Sequence, residues 1–282
     1  MKSFTLKLLS LMLVCFMLLP LMLSCGEVEA PPSSSSTPVQ DDEQSKFEAL
    51  SESEKAFYIL TTDFDDGGKQ SVNLSMNLAC KYMGYDVVAI MSGKMVEIDV
   101  DNTYVDYTET TMSLTMAGYS QVSTSKSGYL DGKQFTYVNV DGEENGEYAV
   151  YSKDKYIELF KQDEEEDFDD FGLTKDNCQT VTCAKNSQGN WVATFTDVTE
   201  NGLEKFKELV SSFEGMISAD DLVDVALTLT VSSNLKPMGV KVIFEFASGS
   251  NATLSLDATY AIGNDVVTPV VDFSNFNNTS NQ

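Results

Sequence analysis

The sequence predicts an α+β fold that is mainly β, with one large antiparallel sheet of about ten strands and a few helices. Three observations predict it. Long segments alternate strictly between apolar and polar residues. Turn signals rich in Gly, Asp, Asn and Ser separate them. Stretches with helical apolar spacing are few and short.

Taken in order, the body opens with an amphipathic helix over residues 42–60. The first strand covers 72–82, with Val72, Leu74, Met76, Leu78, Cys80 and Tyr82 on one face. Its other face carries Ser71, Asn73, Ser75, Asn77, Ala79 and Lys81. Gly84-Tyr85-Asp86 divides it from the next strand. Met112, Leu114 and Met116 then alternate with Thr111, Ser113 and Thr115. Asp131-Gly132 and Asp141-Gly142 mark hairpin ends. Lys153 to Lys161 reads as a short helix. A strand over 191–197 leads into the best helix, 201–213. Its apolar residues Leu203, Phe206, Leu209, Val210 and Phe213 share one face, and Asn201 with Glu204 forms a variant capping box. Three alternating strands close the body: Val223 to Val231, Met238 to Phe246 and Ala252 to Ile262. Such alternation predicts one buried face and one wet face, the wet one mostly Ser, Thr and Asn.

Composition removes much chemistry. The 282 residues include 44 acids and 18 basic residues, giving a net charge of -26. All the basic residues are lysines, and neither histidine nor arginine occurs. Histidine general bases, Ser-His-Asp triads, His-ligated zinc and arginine forks are therefore excluded within this chain. Nucleic acid is not an expected partner, because a polyanion needs a basic footprint.

The first 24 residues have the anatomy of a secretory signal. Lys2 and Lys7 precede an apolar run from Leu8 to Leu23, broken only by Ser10 and Pro20. The run is shorter than the roughly 20 residues that span a bilayer. It ends in Met22-Leu23-Ser24-Cys25-Gly26, which resembles the lipobox of bacterial lipoproteins, with Met22 where leucine is usual. The resemblance implies cleavage before Cys25 and attachment of acyl chains such as palmitate to that cysteine. The expected place is extracytoplasmic, tethered to the bacterial cell membrane in the cell envelope. Cleavage removes two lysines and no acid, so the net charge moves from -26 to -28. An acidic body is repelled by an anionic bilayer surface, and a spacer is expected. Residues 25–45 supply it, with Pro31, Pro32, four consecutive serines, Pro38 and Asp41-Asp42-Glu43. This Pro/Ser/acidic stretch cannot bury a core and is expected to be disordered. About 20 such residues reach roughly 25 Å. A single domain is expected over 46–273, followed by a disordered tail over 274–282.

The lipobox, spacer, opening helix and long alternating strands together resemble the LolA/LprG-like bacterial lipoproteins. The closing passage adds to this: strand 191–197, helix 201–213, strand 222–232, the Asn234-Leu235-Lys236-Pro237-Met238 turn and two final strands. The resemblance covers about residues 42–273. It implies a strongly curved sheet, a half-barrel whose apolar concave face is partly plugged by helices and holds acyl chains.

The function expected on this basis is a membrane-tethered, non-enzymatic binder or carrier of lipid-like apolar ligands, with no cofactor. Methionine suits adaptable apolar surfaces. The expected cavity lining is Met76, Leu78, Met112, Leu114, Met116, Leu227, Leu229, Phe244 and Phe246. Phe206 and Phe213 on helix 201–213 would supply a lid or plug. The competing expectation is a structural or protein-interaction envelope lipoprotein with a filled core and no ligand, its protein partner unknown.

Motifs for catalysis or metals are weak. Ser123 and Lys126 fit S-x-x-K, but on an expected strand rather than at a helix start. Residues 197–208 partly match a calcium loop, yet the same residues end a strand and start a helix. Asp163 to Asp170 holds seven acids in eight positions and reads as a solvated loop. Cys80, Cys178 and Cys183 remain in the body. Either Cys80 pairs with one of the other two, or all three are buried thiols.

Overall fold

A computed structural model of the chain describes residues 40–62, 68–100, 103–160, 173–211, 213 and 216–280. The signal segment, Cys25, most of the expected tether and the acidic run 163–170 lie outside the described residues. The elements are α1 Gln40–Ala49, α2 Glu52–Thr61, β1 Lys69–Tyr82, β2 Tyr85–Val100, β3 Thr103–Met116, β4 Tyr119–Leu130, β5 Lys133–Val140 and β6 Glu143–Val150. There follow α3 Lys153–Phe160, β7 Cys178–Lys185, β8 Trp191–Val198, α4 Glu200–Ser211, β9 Leu222–Val231, β10 Pro237–Phe246, β11 Thr253–Ile262 and a short β12 Asn277–Asn278. The strands form one twelve-stranded sheet in the order β12-β6-β5-β4-β3-β2-β1-β11-β10-β9-β8-β7. The fold is mainly β with few helices, as the alternation predicts.

The chain divides into two compact units. One comprises the described parts of 1–64 and 168–247, the other those of 65–167 and 248–282. Within the units every strand pair is antiparallel, as expected, except the two-residue β12, which runs parallel to β6.

In the first unit the opening helix is two helices. Ser51 interrupts it, because its side chain accepts from the Glu54 amide while the Glu54 carboxylate accepts from the Ser51 amide at 2.9 Å. That reciprocal cap starts a new helix whatever precedes it. Residues 40–45, expected in the disordered tether, already belong to α1. Helix α2 packs on β7 and β8 with Ala56 and Ile59 buried. Phe57 meets Phe195 edge-on at 5.3 Å, and Phe47 meets Trp191 at 5.2 Å. Helix α4 lies on β9 through its apolar stripe. It starts one residue earlier than expected, and the Thr199 carbonyl accepts from the Gly202 and Leu203 amides. Asn201 is therefore inside the first turn and is not the cap.

The second unit is built on four long strands, β1 to β4. Two-residue turns join three of its hairpins at Met83-Gly84, Ala117-Gly118 and Asp131-Gly132, and Asp141-Gly142 closes β5 on β6. The first residue of each turn is left-handed, with φ of 52°, 53°, 52° and 52°. This is the twist that mirror-image turns need. On β2 the buried side changes along the strand. Val87, Ala89 and Met91 are buried at one end, then Val96 and Ile98 at the other. The pairing with β1 and β3 runs through without a shift, so the two sets point to opposite faces. The expectation of one wet face fails here. Both faces of this unit bury side chains.

What covers the second face is the carboxyl-terminal segment. Val266, Val271, Phe273 and Phe276 pack on Val96, Ile98, Val105, Tyr107, Leu130 and Phe135. The Thr279 amide donates to the Tyr148 carbonyl at 2.8 Å, and the Val150 amide donates to the Ser280 hydroxyl at 3.0 Å. Residues 274–280, expected to be a disordered tail, are an ordered strap. The aromatic spacing of Phe273 and Phe276 explains it, since each buries apolar area at one end of the sheet. Cys80, Cys178 and Cys183 are buried free thiols.

Candidate functional site

The first face of the second unit carries five of the eleven expected lining and plug residues. Register places Met76 opposite Met91, and Met91 opposite Met112. Three methionines thus lie side by side across β1, β2 and β3. The next row is Leu78, Ala89 and Leu114, followed by Cys80, Val87 and Met116. Met76 and Leu78 are each 1% exposed and Met112 is 8% exposed, whereas Leu114 and Met116 are half-buried. Sequence reasoning placed these five residues on one face, and the structure brings them together.

The other lining residues lie in the first unit. Leu227, Leu229 and Phe244 are buried on β9 and β10, while Phe246 is half-buried. Val242 stands opposite Leu227, Val240 opposite Leu229, and Val225 opposite Phe244. Phe206 of α4 meets Phe244 edge-on at 6.1 Å, and Phe213 is 1% exposed. These residues form helix-on-sheet packing, with α4 seated on β9.

Toward the other end of the methionine face the chemistry changes. Gln70, Val72, Leu74 and Met76 share one side of β1 by parity. Gln70 is directly opposite Glu97, and Glu97 is directly opposite Asp106. Three polar side chains therefore form a row across the strands, six residues from the methionine row, or roughly 20 Å along the sheet. The Gln70 amide nitrogen donates to a Glu97 carboxylate oxygen at 2.8 Å. Tyr156 of α3 donates its hydroxyl to Asp106 at 2.6 Å. Its ring lies 4.7 Å from that of Tyr129, which stands opposite Asp106 on β4. Helix α3 thus borders the polar row. Gln70 is only 8% exposed, and its Oε1 has no hydrogen-bond partner. Sequence reasoning missed this row. A signal was present, since Gln70 continues the apolar parity of Val72 and Leu74 with a polar residue.

The remaining motifs separate in space. Ser123 and Lys126 lie an odd number of residues apart on β4, hence on opposite faces. Lys126 is engaged by Glu109 at 3.0 Å. The partial calcium loop is mostly helix, with Glu200–Ser211 in α4 and its closing Glu208 exposed. Among the described residues no group of three or more Cys, Asp and Glu is placed to hold a metal ion. Among them too, no helix is long and apolar enough to cross a membrane.

A small cavity of about 180 Å³ lies on the strap side, lined by Tyr137, Glu144, Gly146, Asn275 and Phe276. It includes none of the expected lining residues and falls below the roughly 300–1,000 Å³ of small-molecule sites.

No protein-family model matches the chain, and no curated protein matches it. Among solved structures, the chain resembles a β-barrel-like protein of domain of unknown function DUF1849 from Brucella abortus. The match has 10% identity and a TM-score of 0.14, covering 70% of this chain and 99% of that one. At that score the similarity adds nothing to the reading of the site.

Proposed function

We propose that the chain is a membrane-tethered, extracytoplasmic lipoprotein that binds or carries a lipid-like apolar ligand without catalysing a reaction. The observation that carries this reading is the Met76–Met91–Met112 row, continuous with half-buried Leu114 and Met116. Unbranched, polarisable side chains let such a face re-pack around a guest. Because Met76 and Met112 are buried, a ligand enters by re-packing this face rather than by filling an open groove. The tether rests on the lipobox-like Leu23-Ser24-Cys25 sequence. Acylated Cys25 would hold the body at a bilayer, and more than one chain gives stable anchoring.

Met116→Asp tests the site, since this residue is half-buried and its replacement need not unfold the sheet. The variant is expected to keep its secondary structure and lose retained lipid. Unchanged retention by a folded variant contradicts the assignment. The second reading, a structural or protein-interaction lipoprotein with a filled core, is favoured by the burial of Met76, Leu78, Phe213 and Leu227, each at or below 1% exposure. Lipid-free protein with full partner binding would support that reading.

A further inference from the structure

We propose that the row Gln70–Glu97–Asp106 is a head-group subsite that takes a positively charged hydrogen-bond donor, an ammonium, at the end of an apolar ligand. The inference rests on the carrier reading and names the class of ligand. It starts from Gln70. The residue is only 8% exposed, and one of its two amide ends is satisfied by Glu97 while Oε1 is buried without a partner. The carboxylate fixes the direction of the amide, because an amide oxygen turned toward Glu97 would set two acceptors against each other. What remains is a buried carbonyl oxygen without a donor, a costly arrangement unless a donor arrives.

The surroundings define that donor. Glu97 and Asp106 face each other directly across β2 and β3, and like charges so placed repel. Among the described residues Glu97 meets no lysine. Lys153, on the bordering helix, lies on this same face two residues along, bonded to Asp99 at 2.6 Å and over the Tyr104 ring at 5.0 Å. The row and its border thus hold three carboxylates to one lysine, with Asp106 also accepting from Tyr156. The site therefore offers one orphan carbonyl oxygen and carboxylate charge, and it repels carboxylate or phosphate heads. The Glu97 and Asp106 carboxylates and Gln70 Oε1 are acceptors for the three donors of an ammonium. The row shares its face with buried Val72, Leu74 and Met76, so the tail of a ligand held at the row would lie along apolar side chains once that face re-packs.

The test uses the full chain and three probes of equal tail length, dodecylammonium, dodecanol and dodecanoate, each below its micelle concentration. Binding is measured by calorimetry and native mass spectrometry at physiological salt. Dodecylammonium is expected to bind one per chain, about tenfold or more tighter than dodecanoate, as expected for a charge-assisted contact. Gln70→Leu and Glu97→Gln are each expected to cut that preference about tenfold, with the smaller effect on dodecanol, whose single uncharged hydroxyl gains no charge assistance at the row. Equal binding of all three probes, with no response to either variant, overturns the subsite and leaves the carrier reading standing. A dodecylammonium preference that survives both variants reflects the chain's overall acidity and also overturns the subsite. Failure of every probe to bind overturns both.

Discussion

At the scale of single residues, two positions show how closely the second unit is fitted. Gly146 sits in β6 where a Cβ would lie 3.0 Å from the Phe276 ring. Phe276 is stacked on Tyr137 at 5.8 Å, so the ring cannot slide away without losing that contact. Gly146→Val is expected to cost about 1–3 kcal/mol, the usual range for overpacking. Urea denaturation reads the cost, and hydrogen exchange over residues 273–280 is expected to quicken. A variant as stable as the parent, with the strap still protected, contradicts this packing. Glu109 makes a pH-dependent contribution. Burial raises its carboxyl pKa, but hydrogen bonds from Lys126 and Tyr107 and the charges of Lys126 and Lys94 outweigh burial and leave it lowered. A depressed folded pKa stabilises above the unfolded value, near 4.3, and that stability is lost as pH falls toward the folded pKa. Lys126→Met is therefore expected to weaken the chain at pH 7 and to flatten its loss of stability below pH of about 4. Denaturation midpoints at the two pH values check it; parallel acid limbs in both proteins would contradict it.

At the scale of elements, much was legible and the failures have causes. The strands over 72–82, 223–231, 238–246 and 252–262 were legible because period-two alternation survives wherever one face is buried. Helix 201–213 was legible from its single apolar stripe, and it differs by a residue or two at each end. The opening helix was read as one piece because its apolar spacing continues past Leu50. The local hydrogen bonds of Ser51 and Glu54 decided otherwise. Ser51→Ala is expected to cost about 1 kcal/mol through loss of that cap. Thermal unfolding of the variant measures it, and a change within error would show that tertiary contacts alone define α2. The strap was misread because a Ser/Asn-rich tail resembles disorder. Its information lay in Val271, Phe273 and Phe276, whose partners are distant in sequence and invisible to periodicity. The reversal on β2 was present in the sequence as odd positions 87, 89 and 91 giving way to even positions 96 and 98. It became meaningful only once the strap supplied a second apolar layer.

At the scale of the whole molecule, the chain joins two kinds of core. The first unit buries two helices against β7, β8 and β9, with aromatic rings at the contacts. The second uses a strap on one face and buries a row of methionines on the other. The expected lining was legible as a set of alternating residues. What alternation could not distinguish was a face that packs from a face that receives a guest, because both require the same residue types. The polar row Gln70–Glu97–Asp106 sets an orphan buried acceptor beside two carboxylates, and the proposed subsite rests on it. Trp191 Nε1 in the first unit is likewise buried without a partner, so burial of a lone polar atom does not by itself separate the two readings. The most direct measurement is native mass spectrometry of the full chain purified from a bacterial envelope and from the cytoplasm, followed by solvent extraction. A stoichiometric apolar ligand in either preparation is the predicted result. A bare protein mass in both, with no shift on adding envelope lipids, would contradict the carrier reading and leave a filled-core interaction protein in its place.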